Sequence, residues 1–508
     1  MSKNKTKDTK SNSKNPIESA PGVTQSVRNT SVFSTKSDLY QKHEKVRPKR
    51  VKGTFRRLKW IALYTLLGLY YLVPFIPWQR GPGVPNQAVL VDFEHSRLYF
   101  FFIEIWPQEV YYLTGLLILA AIGLFLVTAL FGRVWCGYAC PQTVWTDLFV
   151  AVERFFEGDR NARIKLDKAP WTANKIFKRL AKHTTWILIA MATGGAWILY
   201  FHDARVLIVD LFIGKAPISA YMFLGIMTFT TYALAGFMRE QVCIYMCPWP
   251  RIQAAMLDNE SLNVDYRKDR GEPRGPHKKG ATWEGRGDCI DCRQCIAVCP
   301  TGIDIRNGLQ LECIGCALCI DACDAVMEKI GRPKGLIAYD TDANIERRLK
   351  GEKPRFRFVR ARTVIYSLIL AGIGSLMLYG LMNRTTLELN VQRDRSPNYV
   401  PLSDGGVRNG YTLKILNKTD MDRYYTVEAI GLERGDIDIV GLQKQDGKFR
   451  MFVAAGKPLD YRVYIKVDDV TGLETRIPFT FRITDTDTDT NTDKTKETET
   501  LFITGNGN

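Results

Sequence analysis

Eight cysteines between Cys289 and Cys323 carry the clearest chemistry in this sequence. Cys289, Cys292 and Cys295 form a close-set trio, with Cys299 and Pro300 just beyond. After thirteen intervening residues, Cys313, Cys316, Cys319 and Cys323 repeat the spacing. Two CxxCxxCxxxC runs in series fit paired cubane ligation, in which three close thiolates bind one cluster and the distant fourth serves the other. The spacing thus assigns Cys289, Cys292, Cys295 and Cys323 to one [4Fe–4S] cluster, and Cys313, Cys316, Cys319 and Cys299 to a second. Structural zinc takes four ligands but does not require a close trio with crossed fourths. Asp324 stands where the first run has Pro300. Neither is a ligand, so the second cluster is expected in somewhat more polar surroundings. Two neighbouring clusters mean electron transfer.

Four further cysteines stand in a repeated motif. FGRVWCGYACP holds Cys136, Cys140 and Pro141, and MREQVCIYMCP holds Cys243, Cys247 and Pro248. Residues i and i+4 share a helix face, and a following proline pushes the second cysteine out of helical geometry. CxxxC is not an iron–sulfur spacing. It suits a soft metal such as Cu(I), with Met246 as a further soft ligand, or a dithiol–disulfide couple. A small apolar filler is the plain alternative.

The elements that must position these thiols follow from composition. The chain has 508 residues, net charge +17 and 46 % hydrophobic residues. The charge brackets apolar segments instead of forming one basic face, which favours a membrane protein over a nucleic-acid binder. Residues 324–508 contain no cysteine, as expected for metal ligation in a reducing compartment and not for disulfides. No CxxCH occurs and there are only five histidines, which argues against haem. The first apolar run is too late and too long for a signal peptide.

Five apolar runs, about Trp60–Pro77, Val110–Phe131, Thr184–Phe201, Ala220–Phe237 and Val364–Met382, are read as membrane helices. Residues 42–59 carry nine Lys and Arg and residues 132–183 carry ten, whereas the alternate loops offer only Arg80, Arg97, Arg205 and Lys215. By the positive-inside rule the N-terminus and the clusters face the cytoplasm and the C-terminal domain faces the periplasm. Residues 142–160 form an amphipathic stretch expected to pack on the cluster domain, and the Arg- and Lys-rich stretch 266–287 reads as a solvated linker.

The expected architecture is multi-domain. Residues 1–58 form a disordered basic N-terminus and 59–250 a four-helix membrane domain with both CxxxCP motifs. Residues 251–362 hold the linker and an α+β two-cluster bacterial ferredoxin domain, with the clusters at 285–328. A fifth transmembrane helix over 363–383 completes a five-helix α-helical membrane domain. Alternating runs at 411–415, 425–429, 448–453, 461–467 and 477–483 predict a seven-strand, all-β immunoglobulin-like sandwich over 384–483. The Asp- and Thr-rich tail, 484–508, reads as disordered.

This order of motifs resembles the FixG/RdxA/CcoG family of bacterial cytochrome c oxidase accessory proteins, across roughly residues 40–483. The resemblance implies an inner-membrane protein that reduces Cu(II) to Cu(I) for assembly of a cbb-type cytochrome c oxidase, with oxidase subunits or copper chaperones as partners. It carries the iron–sulfur ligands onto the eight cysteines and the paired membrane-edge cysteines onto Cys136, Cys140, Cys243 and Cys247. Copper as substrate comes from the resemblance alone. Two other functions fit the same residues: a quinol-oxidising membrane polyferredoxin relay, and a non-enzymatic oxidase assembly scaffold with redox-sensing clusters.

Overall fold

A computed structural model describes residues 45–505 apart from 81–83, 278–279, 281, 420, 433, 446 and 487–494. Apolar runs too long to bury in so small a core become helices, which satisfy every backbone group internally. Four helical stretches, Thr54–Phe75, Pro107–Phe131, Ile218–Met238 and Ala361–Met382, are long and apolar enough to cross a membrane. The third expected span does not join them. Its residues lie in a 26-residue helix, Ala173–Ile198, whose first half carries Lys175, Lys178, Arg179 and Lys182. Four of the five expected spans are thus met by length and composition among the described residues.

In chain order the helices are α1 Thr54–Leu72, α2 Tyr111–Phe131, α3 Val134–Tyr138, α4 Pro141–Glu157, α5 Arg160–Lys168, α6 Ala173–Ile198, α7 Ala204–Ile213 and α8 Ile218–Thr231. α8 runs on into a π-helical segment, Tyr232–Met238, and a second π turn spans Val242–Met246. α9 Trp249–Met256, α10 Lys268–Gly271, α11 Gln294–Val298, α12 Leu318–Lys329, α13 Asp342–Leu349 and α14 Ala361–Met382 follow. Three short strands, β1 Val89–Asp92, β2 Arg97–Phe100 and β3 Ile103–Ile105, form an antiparallel sheet between α1 and α2 that the sequence reading missed. α4 buries Val144, Phe149 and Val150, and Phe149 stacks on Trp186 of α6 at 5.3 Å.

The cluster segment is closed by a two-strand ribbon, β4 Asn263–Tyr266 antiparallel to β5 Ile337–Asp340. Residues 267–336 thus leave and return at one place. Residues 47–58 are not disordered as expected. Lys49 N–H donates to Ala297 O at 2.8 Å, and Pro48 O accepts from Arg163 at 2.7 Å. Residues 1–44 lie outside the described residues.

Beyond α14 come ten strands: β6 Leu387–Arg393, β7 Val400–Pro401, β8 Val407–Asn417, β9 Arg423–Ile430, β10 Gly435–Ile439, β11 Lys444–Gln445, β12 Lys448–Val453, β13 Pro458–Val467, β14 Arg476–Asp485 and β15 Thr495–Ile503. One sheet runs β10-β13-β8-β6 with β7 on β8, the other β11-β12-β9-β14-β15. Alternate residues of each strand point inward, so Tyr411, Leu413, Ile415, Val463, Ile465, Phe481 and Ile483 are wholly buried. All five expected runs fall within strands, but the described residues of the domain form ten strands and not seven. The expected disordered tail is also corrected. β15 pairs with β14 from Arg476↔Ile503 to Thr484↔Thr495, because its Thr and Glu residues alternate across a pleat that ends in Leu501 and Phe502. Residues 487–494 of that tail lie outside the described residues. Phe502 is wholly buried. Phe502→Ala is expected to cost about 3–5 kcal/mol, visible as a lower unfolding midpoint of the protein. A midpoint within experimental error of wild type would contradict the placement of β15.

The sandwich is tied to the helices through Glu109, at the start of α2. Its carboxylate accepts from Arg384 at 3.1 and 2.7 Å and from Lys418 at 2.8 Å.

Candidate functional site

Cys289 and Cys292 lie in the loop before α11, Cys295 within α11 and Cys299 at its C-terminal end. Cys313 and Cys316 lie in the loop before α12, which itself carries Cys319 and Cys323. Left-handed backbone at Asp291, Arg293, Gly315 and Ala317 wraps these loops inward. Two small cavities result. Cys289, Cys292, Cys295 and Cys323 line one, with Tyr266, Met327, Leu336 and Ile337 behind them. Cys299, Cys313, Cys316 and Cys319 line the other, with Val264, Ile303 and Ile305, and Cys295 reaches both.

Among the described residues, no three His, Cys, Asp or Glu side chains close on a single point as a site for one metal ion. A cubane's thiolates stand around an inorganic core, so a wider ring of four is what a cluster needs. The donor set in each cavity, four soft thiols in an apolar shell, fits a [4Fe–4S] group. Burial pushes Cys313 and Cys323 up to about 12 and Cys295 to about 11. These thiols are therefore neutral without iron and ionise on binding it. Arg306, which sequence reasoning missed, lines the first cavity and is held by Asp304 at 2.7 Å and by Asp291.

The CxxxCP motifs meet this domain directly. Cys136 lies in α3, and Cys140 is the extended residue before α4, as its following proline requires. Cys243 lies on the second π turn, and Cys247 ends that turn in extended geometry. Gly137 packs against the loop of the second cavity. A Cβ there would meet Cys316 Cα, Gly315 O and Ile314 O, each at 3.0 Å. Tyr138 Oη donates to Cys316 O at 3.2 Å, and Arg133 donates to Cys313 O at 3.0 Å, to Pro250 O at 2.9 Å and to Leu311 O. Cys136 packs on the apolar cluster of Ile314, Cys316 and Leu318, and its Sγ donates to Gln253 Oε1 at 3.1 Å.

Cys243 faces the same domain from the other repeat. It lines a small cavity with Pro300, Thr301, Ile314 and Leu318 of the cluster segment, and with Lys59, Asp147 and Glu240. Thr301 Oγ1 lies 3.3 Å from Cys299 Sγ. Burial raises Cys136 and Cys243 to about 12, and the neighbouring Cys140 adds to both. The four thiols are thus within electrostatic reach of one another without forming a closed ligand set. Met246 is 56 % exposed on its turn.

Asp321 of α12 supplies what α1 lacks. Gly53 has no side chain to cap the helix, and the Asp321 carboxylate accepts from Phe55 N–H at 3.2 Å and Arg56 N–H at 2.7 Å. Long-range capping of this kind leaves no signal in local sequence.

Membrane-length helices, two four-thiol cavities and a β-sandwich define a membrane iron–sulfur redox protein. Comparison with known proteins narrows this. A family described as a 4Fe-4S dicluster domain matches residues 238–342, a 4Fe-4S binding domain matches 113–157, and the IG-like fold at the C-terminal of FixG matches 377–505. Nitrogen fixation protein FixG of Rhizobium meliloti is 52 % identical over 438 residues, 81 % of this chain and 84 % of that protein. Protein RdxB of Cereibacter sphaeroides is 51 % identical over 440 residues, 84 % of this chain and 92 % of that protein. The crystal structure of a FixG-related protein from Vibrio parahaemolyticus aligns with 24 % of this chain and 99 % of its own, at 27 % identity and a TM-score of 0.20. The chain belongs to the FixG/RdxA/RdxB family.

Proposed function

We propose that this protein is an inner-membrane cupric reductase, moving electrons from two [4Fe–4S] clusters to the membrane-edge thiols, where Cu(II) becomes Cu(I) for assembly of a cbb-type cytochrome c oxidase. In this reading Cys289, Cys292, Cys295 and Cys323 hold one cluster, and Cys313, Cys316, Cys319 and Cys299 the other. The clusters supply one-electron carriers when bound. The observation that carries the reading is the backbone-close packing of the Cys136 segment on the Cys313–Cys316 loop. The chain's own part is to hold donor and acceptor sites together and to keep water from the gap with Ile314, Leu318 and Val298.

Thiolates favour Cu(I) over Cu(II) by softness, so binding at Cys136, Cys140, Cys243 and Cys247 raises the driving force for a one-electron reduction of the copper substrate. Copper is received at these thiols. The Cys243 cavity, which opens toward Thr301 and Ile314, is the place for it. The sandwich faces the periplasm, where it meets oxidase subunits or a copper chaperone, and the basic flanks keep the clusters in the cytoplasm.

Anaerobic purification followed by iron and sulfide analysis and a cupric-reductase assay tests this. Iron of about eight per chain is expected for two cubanes, with steady Cu(II) turnover when a cytoplasmic or quinol electron donor re-reduces the clusters. Cys323→Ser should lower the iron to about four and remove the signal of the cluster at Cys289, Cys292 and Cys295. Loss of the other cluster's signal instead would contradict the crossed assignment. Wild-type iron of about four, or no turnover, would contradict the function.

A further inference from the structure

An open groove of about 1260 Å³ runs along the start of α1 where it meets α4. Arg50, Lys52, Arg56, Arg57 and Arg154 line it, with no carboxylate among its lining residues. Trp60, Ile61, Tyr64 and Phe155 form its apolar wall, and Ile61, Tyr64 and Phe155 are 55 %, 67 % and 82 % exposed. Trp60 stacks on Tyr64 at 5.4 Å, and the Arg56 guanidinium lies 4.5 Å above the Trp60 ring. Arg56, Trp60 and Tyr64 are four residues apart, so cation and rings share one helix face.

Arg56 gives a second observation. It is only 7 % exposed, and its Nη1 donates to both Asp147 oxygens at 2.9 Å, yet its Nη2 is buried with no partner among the described residues. A buried cationic donor left unmatched is costly unless an anion arrives. A groove with a cationic mouth, an aromatic belt and an apolar floor at one end of a membrane-length helix matches a lipid with a charged head and acyl chains.

We propose that this groove binds one anionic diacyl phospholipid. Its phosphodiester sits against Arg56 Nη2, Arg50, Lys52 and Arg57, and one acyl chain lies along Trp60, Ile61 and Tyr64. The site also bears on the cluster domain. The backbone N–H groups of Phe55 and Arg56 are held by Asp321 of α12, so lipid at the mouth stiffens the helix end on which that domain is docked. The inference is independent of copper reduction.

The test uses the full-length, cluster-loaded protein in neutral detergent, with phosphatidylglycerol, phosphatidylcholine or inorganic phosphate added at equal concentration. Native mass spectrometry reads retained lipid, and thermal unfolding reads protection. Phosphatidylglycerol should be retained and protective at low salt, less so at high salt. The triple variant R50S/K52S/R57S should weaken its retention by at least about tenfold while keeping wild-type iron content. Equal retention of phosphatidylcholine would mean ordinary annular lipid, and equal protection by inorganic phosphate would mean a simple anion site. Either result, or unchanged retention in the triple variant, overturns the proposal.

Discussion

Replacing both Cys243 and Cys247 by serine is expected to abolish Cu(II) reduction while both iron–sulfur signals persist. Serine nearly keeps the size of the side chain but removes the soft donor that selects Cu(I). The eight cysteines lining the two cluster cavities are not touched. Cys243 lines the cavity that reaches Thr301 and Ile314, so the loss falls where the copper substrate would be held. The variant is checked by iron analysis and electron paramagnetic resonance of the reduced protein, then by Cu(I) formation with a chromogenic chelator. Wild-type reductase activity with intact cluster signals would remove these thiols from the copper site.

Gly137→Val is expected to cut turnover by about tenfold or more, without touching any thiol. Its new Cβ would press on Cys316 Cα, Gly315 O and Ile314 O, which are backbone atoms that no rotamer change can move aside. The α3 turn and the cluster loop must separate, which costs about 1–3 kcal/mol for a misfit of this kind. Separation also breaks the bonds from Tyr138 to Cys316 O and from Arg133 to Cys313 O. The two halves of the site are then intact but apart. Reductase turnover, measured beside iron content, separates this from cluster loss. Full turnover in Gly137→Val with about eight iron per chain would show that the contact is not the route.

The cysteine chemistry was legible because cluster ligation is local. Three thiols within seven residues announce a cubane, and only the crossed fourth ligand needs the fold. The inward strands were legible where Tyr411–Ile415 or Tyr461–Val467 mostly alternate. β15 was not, because its polar composition hid an alternation of Thr, Glu and Lys that ends at buried Phe502. The Ala173–Ile198 helix is mixed in character. Its apolar half reads as a span, while Lys182 in the other half is buried against Glu157 at 2.8 Å and serves the protein interior. Nor could local sequence show Arg56 pairing with Asp147, or Asp321 capping α1, since those partners are 91 and 265 residues away. The resemblance named the family correctly, and the contact between Gly137 and the Cys316 loop came only from the fold.

Mixing anaerobically reduced wild-type protein with Cu(II) in a stopped-flow instrument tests the relay most directly. The rise in visible absorbance as the clusters are re-oxidised and the Cu(I)–chelator absorbance are followed in the same shot. The two signals should share one rate constant and yield about two Cu(I) per chain, one for each one-electron cluster. Clusters that stay reduced while Cu(I) appears, or that oxidise with no Cu(I) formed, would contradict it.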